Sequence, residues 1–343
     1  MRNFFRSSGK TEAARTPWVS EFFNAPLVDL GTSDARYAGI HTPAPELGAE
    51  KIGVSEQFLA GAEIYDTRYT HSSYMVELLT RAFAAVGFRP TGSLDVLDMG
   101  SGSGKNSLLP LLQIVPQARA IATDLSPDLL EILRRYAVKE GLTESIACVC
   151  TDAMNSHFRP GKFDLVMGIA ILHHLIDPLQ AIKAAQAALK PGGVAVFFDP
   201  FEGFGLISIA FKTILQRAER DRLELSPAAA KFMQAMITDL DARKGTDKSA
   251  DRFRYMDDKW LFTRSYFEDA AAKAGFRSVK IIARNTGETA IREYATDLFR
   301  LGCQLEPDSL PLWAWETVNL MDQTFSTEMK ADLVMEGAIV LSK

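Results

Sequence analysis

Apolar residues recur along this chain with two different periods. Over 54 to 87 they fall three and four apart, at Tyr74, Leu78, Leu79, Ala82 and Phe83, which predicts a helical stretch ending near Gly87. From 94 onward, short apolar or β-branched runs alternate with helical segments, the pattern of βαβ units that feed a parallel sheet. These runs predict strands at 94 to 99, 119 to 123, 146 to 150, 163 to 168 and 193 to 198, with helices at about 104 to 114, 127 to 140 and 177 to 189. Ser126 before Pro127 reads as an N-cap followed by proline at the first helical position, and Gly141 as the left-handed cap. Connections this short make each crossover right-handed.

After the fifth strand the alternation stops, and 201 to 262 reads as a mainly helical insertion. Ser265 with Glu268 forms a capping-box pattern for a helix that Gly275 ends, ahead of a strand at 279 to 283. A second helical insertion at about 286 to 330 precedes a last strand at 337 to 342. Residues 1 to about 50 hold many Pro, Gly, Ser and Thr without a sustained period, and a loosely ordered arm is expected there. The domain organisation is thus an arm and helical cap over 1–90, a core over 91–200, an insertion over 201–262, and the rest of the sheet with its own insertion over 263–343. No internal repeat is found.

Composition narrows the classes. With 343 residues and 47% hydrophobic content the chain can fill a sizeable core, and a net charge of -5 argues against gripping nucleic-acid phosphates. The N-terminus has positive charge but no apolar h-region, so no signal peptide is read, and the apolar run from 192 to 211 is broken by Asp199, Pro200 and Glu202, so no membrane span is read. Cys148, Cys150 and Cys303 cannot build a disulfide framework, and the C-x-C pair reads as two apolar fillers on one strand face. A reducing, cytoplasmic location is expected. No metal-ligand set is identified.

The chemistry begins at Leu94-Asp95-Val96-Leu97-Asp98-Met99-Gly100-Ser101-Gly102-Ser103-Gly104, an apolar strand ending in an acid, then alternate glycines, then a helix. Glycines allow a tight turn and a close ligand, while the helix start presents unpaired N–H groups. A Walker A loop is excluded, because Met99 stands at its first glycine and Asn106 at its Mg²⁺-binding hydroxyl. A nicotinamide fingerprint is weakened, because its third glycine would be Lys105 or Ser107. Asp124 ends the second strand, twenty residues beyond Gly104, where a carboxylate can accept both hydroxyl protons of a ribose. Its alternative role as a helix cap is already taken by Ser126.

Five segments in order then resemble the class I S-adenosylmethionine-dependent methyltransferase family: Leu97 to Gly104, Thr123 to Ser126, Thr151-Asp152-Ala153, Phe163-Asp164-Leu165-Val166 through Leu172-His173-His174-Leu175, and Leu189-Lys190-Pro191-Gly192-Gly193. The resemblance covers about 94 to 200. It implies a doubly wound, Rossmann-like α/β fold with a seven-stranded sheet, whose last strand enters antiparallel between those at 193 to 198 and 277 to 283. It also implies S-adenosyl-L-methionine as cofactor. Asp98, Gly100, Ser101, Gly102 and Gly104 would face its methionine part, Asp124 the ribose, Leu125 the adenine face, Asp152 and Ala153 the adenine edge, and Gly168 and Ile169 the sulfonium. Asp164 has a turn or sheet-edge role as its alternative.

Methyl transfer from a sulfonium needs alignment, exclusion of water and, for a hydroxyl acceptor, a base. His173, His174, Asp199 and Glu202 follow the fourth and fifth strands, and His173 and Glu202 rank first as catalytic candidates. The apolar stretch 201 to 211 reads as acceptor pocket, lid or insertion core. The acids and aromatics of 255 to 263 suit either sugar binding or a packed loop, and the insertion carrying Trp313 and Trp315 suits either a cover for the site or a homodimer interface. The expected function is methyl transfer to an O or N of a small molecule, with a saccharide or glycan-linked precursor among the candidates. The alternatives are a nicotinamide-dependent oxidoreductase and a non-catalytic relative that binds S-adenosylmethionine. Nucleic-acid bases are disfavoured, since neither N-P-P-Y nor D-P-P-Y follows the fourth strand.

Overall fold

The computed structural model describes residues 18–48, 61–68, 74–155 and 157–343. Alternation within the central strands sets the layering. In Asp95–Met99, Val96 points to one side of the sheet and Leu97 and Met99 to the other, and each side has its own buried cluster. The strands are Leu27–Asp29 (β1), Ile40–Pro43 (β2), Asp95–Met99 (β3), Arg119–Asp124 (β4), Ile146–Cys150 (β5), Phe163–Ile169 (β6), Leu189–Pro200 (β7), Ser278–Ala283 (β8) and Glu336–Ser342 (β9). They form one sheet in the order β1-β2-β5-β4-β3-β6-β7-β9-β8. From β5 to β8 this is the expected seven-stranded order, with β9 antiparallel between β7 and β8.

The sheet has nine strands rather than seven. Residues 27–43 add two strands beyond β5, with β2 parallel to β5 and β1 antiparallel to β2. Residues 18–48 are therefore not a loose arm: Val19, Phe22 and Phe23 are buried in the cluster shared with Phe163 and Ala185. Their composition concealed this, because three- and four-residue strands are too short to show a period. Residues 1–17 lie outside the described ones, as do 49–60 and 69–73 of the predicted helical cap and the side chain of Cys303. Within the cap, Ala62–Arg68 (α1) and Met75–Ala85 (α2) are helical, and Met75, Leu78, Leu79, Ala82 and Phe83 are buried.

On one face α2 packs beside Leu108–Ile114 (α3) and Pro127–Lys139 (α4). Ser126 caps α4 by accepting from Leu129 N–H, and Gly141 has φ +69°, as the turn chemistry requires. The other face carries Pro178–Ala188 (α5) and Arg264–Ala274 (α8). The cap of α8 is Thr263, accepting from Tyr266 N–H, two residues before the expected Ser265. Gly275 ends α8 at φ +84°. Gly205–Asp221 (α6), Pro227–Ala242 (α7), Ala290–Cys303 (α9) and Leu312–Thr324 (α10) share a third cluster around Phe211, Tyr294, Phe299 and Trp315. The two insertions thus form one helical body, in which Phe211 and Trp315 are core. Thr327–Leu333 (α11) leads into β9.

Asp164 is structural. Its Oδ2 accepts from Asp95 N–H at 2.9 Å and Lys190 Nζ at 2.8 Å, tying three strands together at the edge opposite the glycine turn. Cys148 and Cys150 are buried, and burial pushes the Cys148 thiol up to about 12, so it is a filler. Among the described residues no helix is long and apolar enough to cross a membrane.

Where β7 leaves the sheet for α6, Gly203 passes so close to the end of α11 that a Cβ there would lie 1.7 Å from the Leu333 carbonyl oxygen. Gly203→Ala should lower stability by at least the about 1–3 kcal/mol typical of overpacking. Urea denaturation of both proteins checks this, and an unchanged midpoint would contradict the packing described.

Candidate active site

The carboxyl ends of β3 to β7 open into two adjoining cavities. The first is lined by Gly100 to Ser103, Asp124, Leu125, Thr151 to Met154 and Ile169 to Ile171, with His174 and Asp257 at one side. The second is lined by Ala170, His173, His174, Phe198 to Pro200, residues of α7 and α9, and Met256 to Asp258. Ala170, His174 and Asp257 belong to both. Ala170 is held at φ +56°, a conformation that costs a non-glycine residue energy, with its N–H donating to Phe198 O at 2.8 Å. That constraint sits where the two cavities meet.

Two carboxylates shape the first cavity. Asp124 Oδ2 accepts from Gly102 N–H and Oδ1 from Ser126 N–H, both at 2.8 Å. A carboxylate has about four acceptor positions, so these bonds leave capacity for a diol at the cavity wall. Asp98 is fully buried beneath the turn. Its Oδ2 accepts from Ser101 Oγ–H at 2.7 Å and Ser107 Oγ–H at 2.6 Å, while Oδ1 has no partner among the described residues. Burial pushes its pKa up to about 7, against the pull of the two serine hydroxyls.

The cofactor-binding candidates separate into wall and support. Gly100, Ser101, Gly102, Asp124, Leu125, Asp152, Ala153 and Ile169 line the cavity, whereas Asp98, Gly104 and Gly168 do not. Gly102, at φ +53°, would direct a Cβ into open space with only Leu129 Cδ1 at 4.0 Å. Gly104 and Gly168 are small for packing instead: a Cβ would meet Leu133 Cδ1 at 2.7 Å in one case, Ile171 Cγ2 and Phe197 Cδ1 at 2.7 Å in the other. Open backbone at Gly102 and the Asp124 carboxylate together suit the amino-acid and ribose parts of S-adenosylmethionine.

Glu46 was not foreseen. Its carboxylate accepts from Thr151 Oγ1–H at 2.7 Å and Asp152 N–H at 2.9 Å, and His157 Nε2 lies 2.9 Å away. The segment that adds β1 and β2 thereby also fixes the loop after β5. Burial raises the Asp152 carboxyl above its ordinary range.

The two catalytic candidates part company. Glu202 is exposed, lines neither cavity, and contributes its N–H to Phe262 O. The structure places it outside both cavities, because β7 runs to Pro200 and the chain turns away at Phe201. His173 is buried between two carboxylates, Nδ1 at 2.7 Å from Asp199 Oδ1 and Nε2 at 3.4 Å from Asp258 Oδ1. Burial disfavours its charge, but the hydrogen bonds and charges of Asp199 and Asp258 outweigh that and lift its pKa to about 9. Burial works against ionised Asp258 too, yet the two histidines hold its carboxyl well below the usual range.

Asp258 Oδ1 is also 3.2 Å from His174 Nδ1, and its Oδ2 pairs with Arg243, which bonds Asp239 as well. Although the ligand atoms of His173, His174 and Asp258 lie within 4.8 Å of one another, Arg243 already neutralises Asp258 and His174 Nδ1 also faces Asp257 O. The cluster is therefore drawn together as a hydrogen-bonded ion network. Arg243 gave no sequence signal, since it reaches the cluster from the end of α7.

The aromatics of 255 to 263 do not face a ligand: Trp260 is buried, stacks on Phe262 and donates Nε1–H to Leu175 O, while Tyr255 projects into solvent. Only Asp257 and Asp258 of that segment reach the cavities with Met256.

Residues 97–197 match the family model described as a methyltransferase domain. Ubiquinone biosynthesis O-methyltransferase of Methylocella silvestris is 30% identical over 129 residues, covering 36% of this chain and 48% of that protein. The protein of the same name from Idiomarina loihiensis is 33% identical over 104 residues, covering 30% and 41%. The chain thus spans about half the length, or less, of these curated relatives. A chain of the complex between the Haloferax volcanii Trm112 methyltransferase activator and a methyltransferase superposes with TM-score 0.50 at 18% identity, covering 84% of this chain and 98% of that one, a likeness of fold.

Asp98 gives the site a pH signature. Between its ordinary 3.8 and about 7 the unfolded chain ionises at this position while the folded one keeps the proton. Its contribution therefore makes stability fall as pH rises through that window. Urea unfolding should show Asp98→Asn gaining on the wild type from pH 4 to pH 8 without ligand, whereas parallel pH profiles would refute the assignment.

Proposed function

We propose, from the premise that residues 97–197 make this chain a class I S-adenosylmethionine-dependent methyltransferase, that it methylates a hydroxyl oxygen of a small molecule seated in the second cavity. The observation that carries the choice of oxygen is the Asp199–His173 pair, both of whose residues line that cavity. A hydroxyl needs a base as it attacks, and a histidine oriented by a buried carboxylate is suited to that work. The relatives' printed names, O-methyltransferases of ubiquinone biosynthesis, point the same way.

S-adenosylmethionine, when bound, supplies a methyl group on a cationic sulfonium. Asp124 and the turn from Gly100 to Ser103 would hold the donor, Leu125, Ala153 and Met154 would give its adenine an apolar surface, and Asp152 would meet the adenine edge. Ala170 and Ile171 set the boundary across which donor and acceptor meet. Asp199 accepts from His173 Nδ1–H, which leaves Nε2, on the side of Asp258, as the proton acceptor. Nε2 would take the acceptor's hydroxyl proton as that oxygen takes up the methyl group. Asp258 holds the imidazole from the other side and stabilises the imidazolium that results.

The base must be neutral to act, so turnover rises with pH as His173 loses its proton and levels off above about 9. Release of S-adenosylhomocysteine, followed from pH 6 to 10 with a panel of phenols and alcohols, tests this. Asp258→Asn removes one of the two carboxylates that raise His173 and should move the inflection to lower pH. His173→Asn should lower kcat by about 10²–10⁴ while leaving S-adenosylhomocysteine binding intact. Full turnover in that variant would remove His173 from the mechanism.

A further inference from the structure

The chamber that would hold the acceptor belongs to this chain's own insertions. Apart from Ala170, His173 and His174, its lining lies beyond residue 197, outside the matched domain. What fits it has to be read from its own chemistry.

Phe198, Phe204, Phe232, Met236, Leu298 and Leu301 give it an apolar wall. Five carboxylates also line it, Asp199, Asp239, Asp257, Asp258 and Glu336, against the guanidinium of Arg243 and the imidazoles of His173 and His174. Arg243 is already paired with Asp239 and Asp258, and Arg284 stands beside Glu336 with Nη1 at 3.0 Å from Oε2. Among the described residues, the cationic side chains of the lining, Arg243 and His173, are each already held by two carboxylates. An anion entering here would lose its hydration and meet like charge.

Two buried polar atoms of lining residues have no protein partner among the described residues: Asp199 Oδ2, an acceptor, and Arg243 Nε–H, a donor. Both atoms are closed off from the chamber surface, so they place no demand on its occupant. A saccharide would bring several hydroxyls against the apolar wall, each left unsatisfied at a cost.

We infer that the acceptor is an uncharged, largely apolar alcohol or phenol. This rests on the methyl-transfer reading above. The hydroxyl is taken by His173, and the apolar body lies on Phe198, Phe204 and the side chains of α7 and α9. The carboxylates act as a filter against acceptors bearing carboxylate, phosphate or sulfate.

A matched pair of probes tests it: 6-methoxy-2-naphthol and 6-hydroxy-2-naphthoate, titrated into the full chain loaded with S-adenosylhomocysteine. The methoxy compound should bind with a Kd lower by about tenfold or more. Met236→Trp, which fills the chamber, should abolish that binding while S-adenosylhomocysteine still binds. Asp239→Asn, which leaves Arg243 less neutralised, should narrow the preference to below about threefold. Equal or tighter binding of the carboxylate overturns the inference. So does failure of the naphthol to bind to protein that still takes up S-adenosylhomocysteine. Should S-adenosylhomocysteine itself not bind, the methyl-transfer reading falls instead.

Discussion

Two strand-tip carboxylates hold the glycine turn, and the rest of the site depends on them. Asp98 anchors the turn from below through Ser101 and Ser107, and Asp124 anchors it from the side through the Gly102 N–H. The left-handed conformations at Gly100, Gly102 and Gly104 let the backbone follow that path. Because β4 lies beside β3 in register, Asp98 opposite Ala122 and Met99 opposite Thr123, the carboxylate that braces the turn is also one that lines the first cavity. The cost is a buried acid at Asp98 that retains its proton to about pH 7. A polar site is thereby built on a core strand without a free charge beneath it.

The second half of the site is assembled differently. His173 comes from the loop after β6, Asp199 from β7, Asp258 from the loop before α8, and Arg243 from the end of α7. Buried lysines fix those loops by donating to carbonyls: Lys248 to Arg243 O and Gly245 O, Lys259 to Met256 O. The helical insertions are therefore more than a cover. They deliver the charge that sets the state of His173 and the apolar wall that faces it.

How much of this was legible follows from how local each signal is. The five core strands, the glycine turn and Asp124 were readable because period, turn residue and strand tip lie within a dozen residues of one another. Asp199 was visible as a strand-end acid, but nothing local distinguished it from Glu202, which a short turn directs outward. Arg243 and Glu46 act across folds of the chain, and neither carries a motif. The aromatics near Trp260 looked like a ligand platform because a packed loop and a binding loop share composition, and only burial separates them. Gly104 and Gly168 were assigned to the ligand when their smallness serves Leu133 in one case, Ile171 and Phe197 in the other.

The central claim is that the Asp124-braced glycine turn holds S-adenosylmethionine, and calorimetric titration of S-adenosylhomocysteine into ligand-free protein and into Asp124→Ala tests it most directly. The account predicts one-to-one micromolar binding by the wild type, weakened about ten- to a hundredfold in the variant by loss of charge-assisted hydrogen bonds. No binding by the ligand-free wild type, or equal binding by the variant, would contradict it.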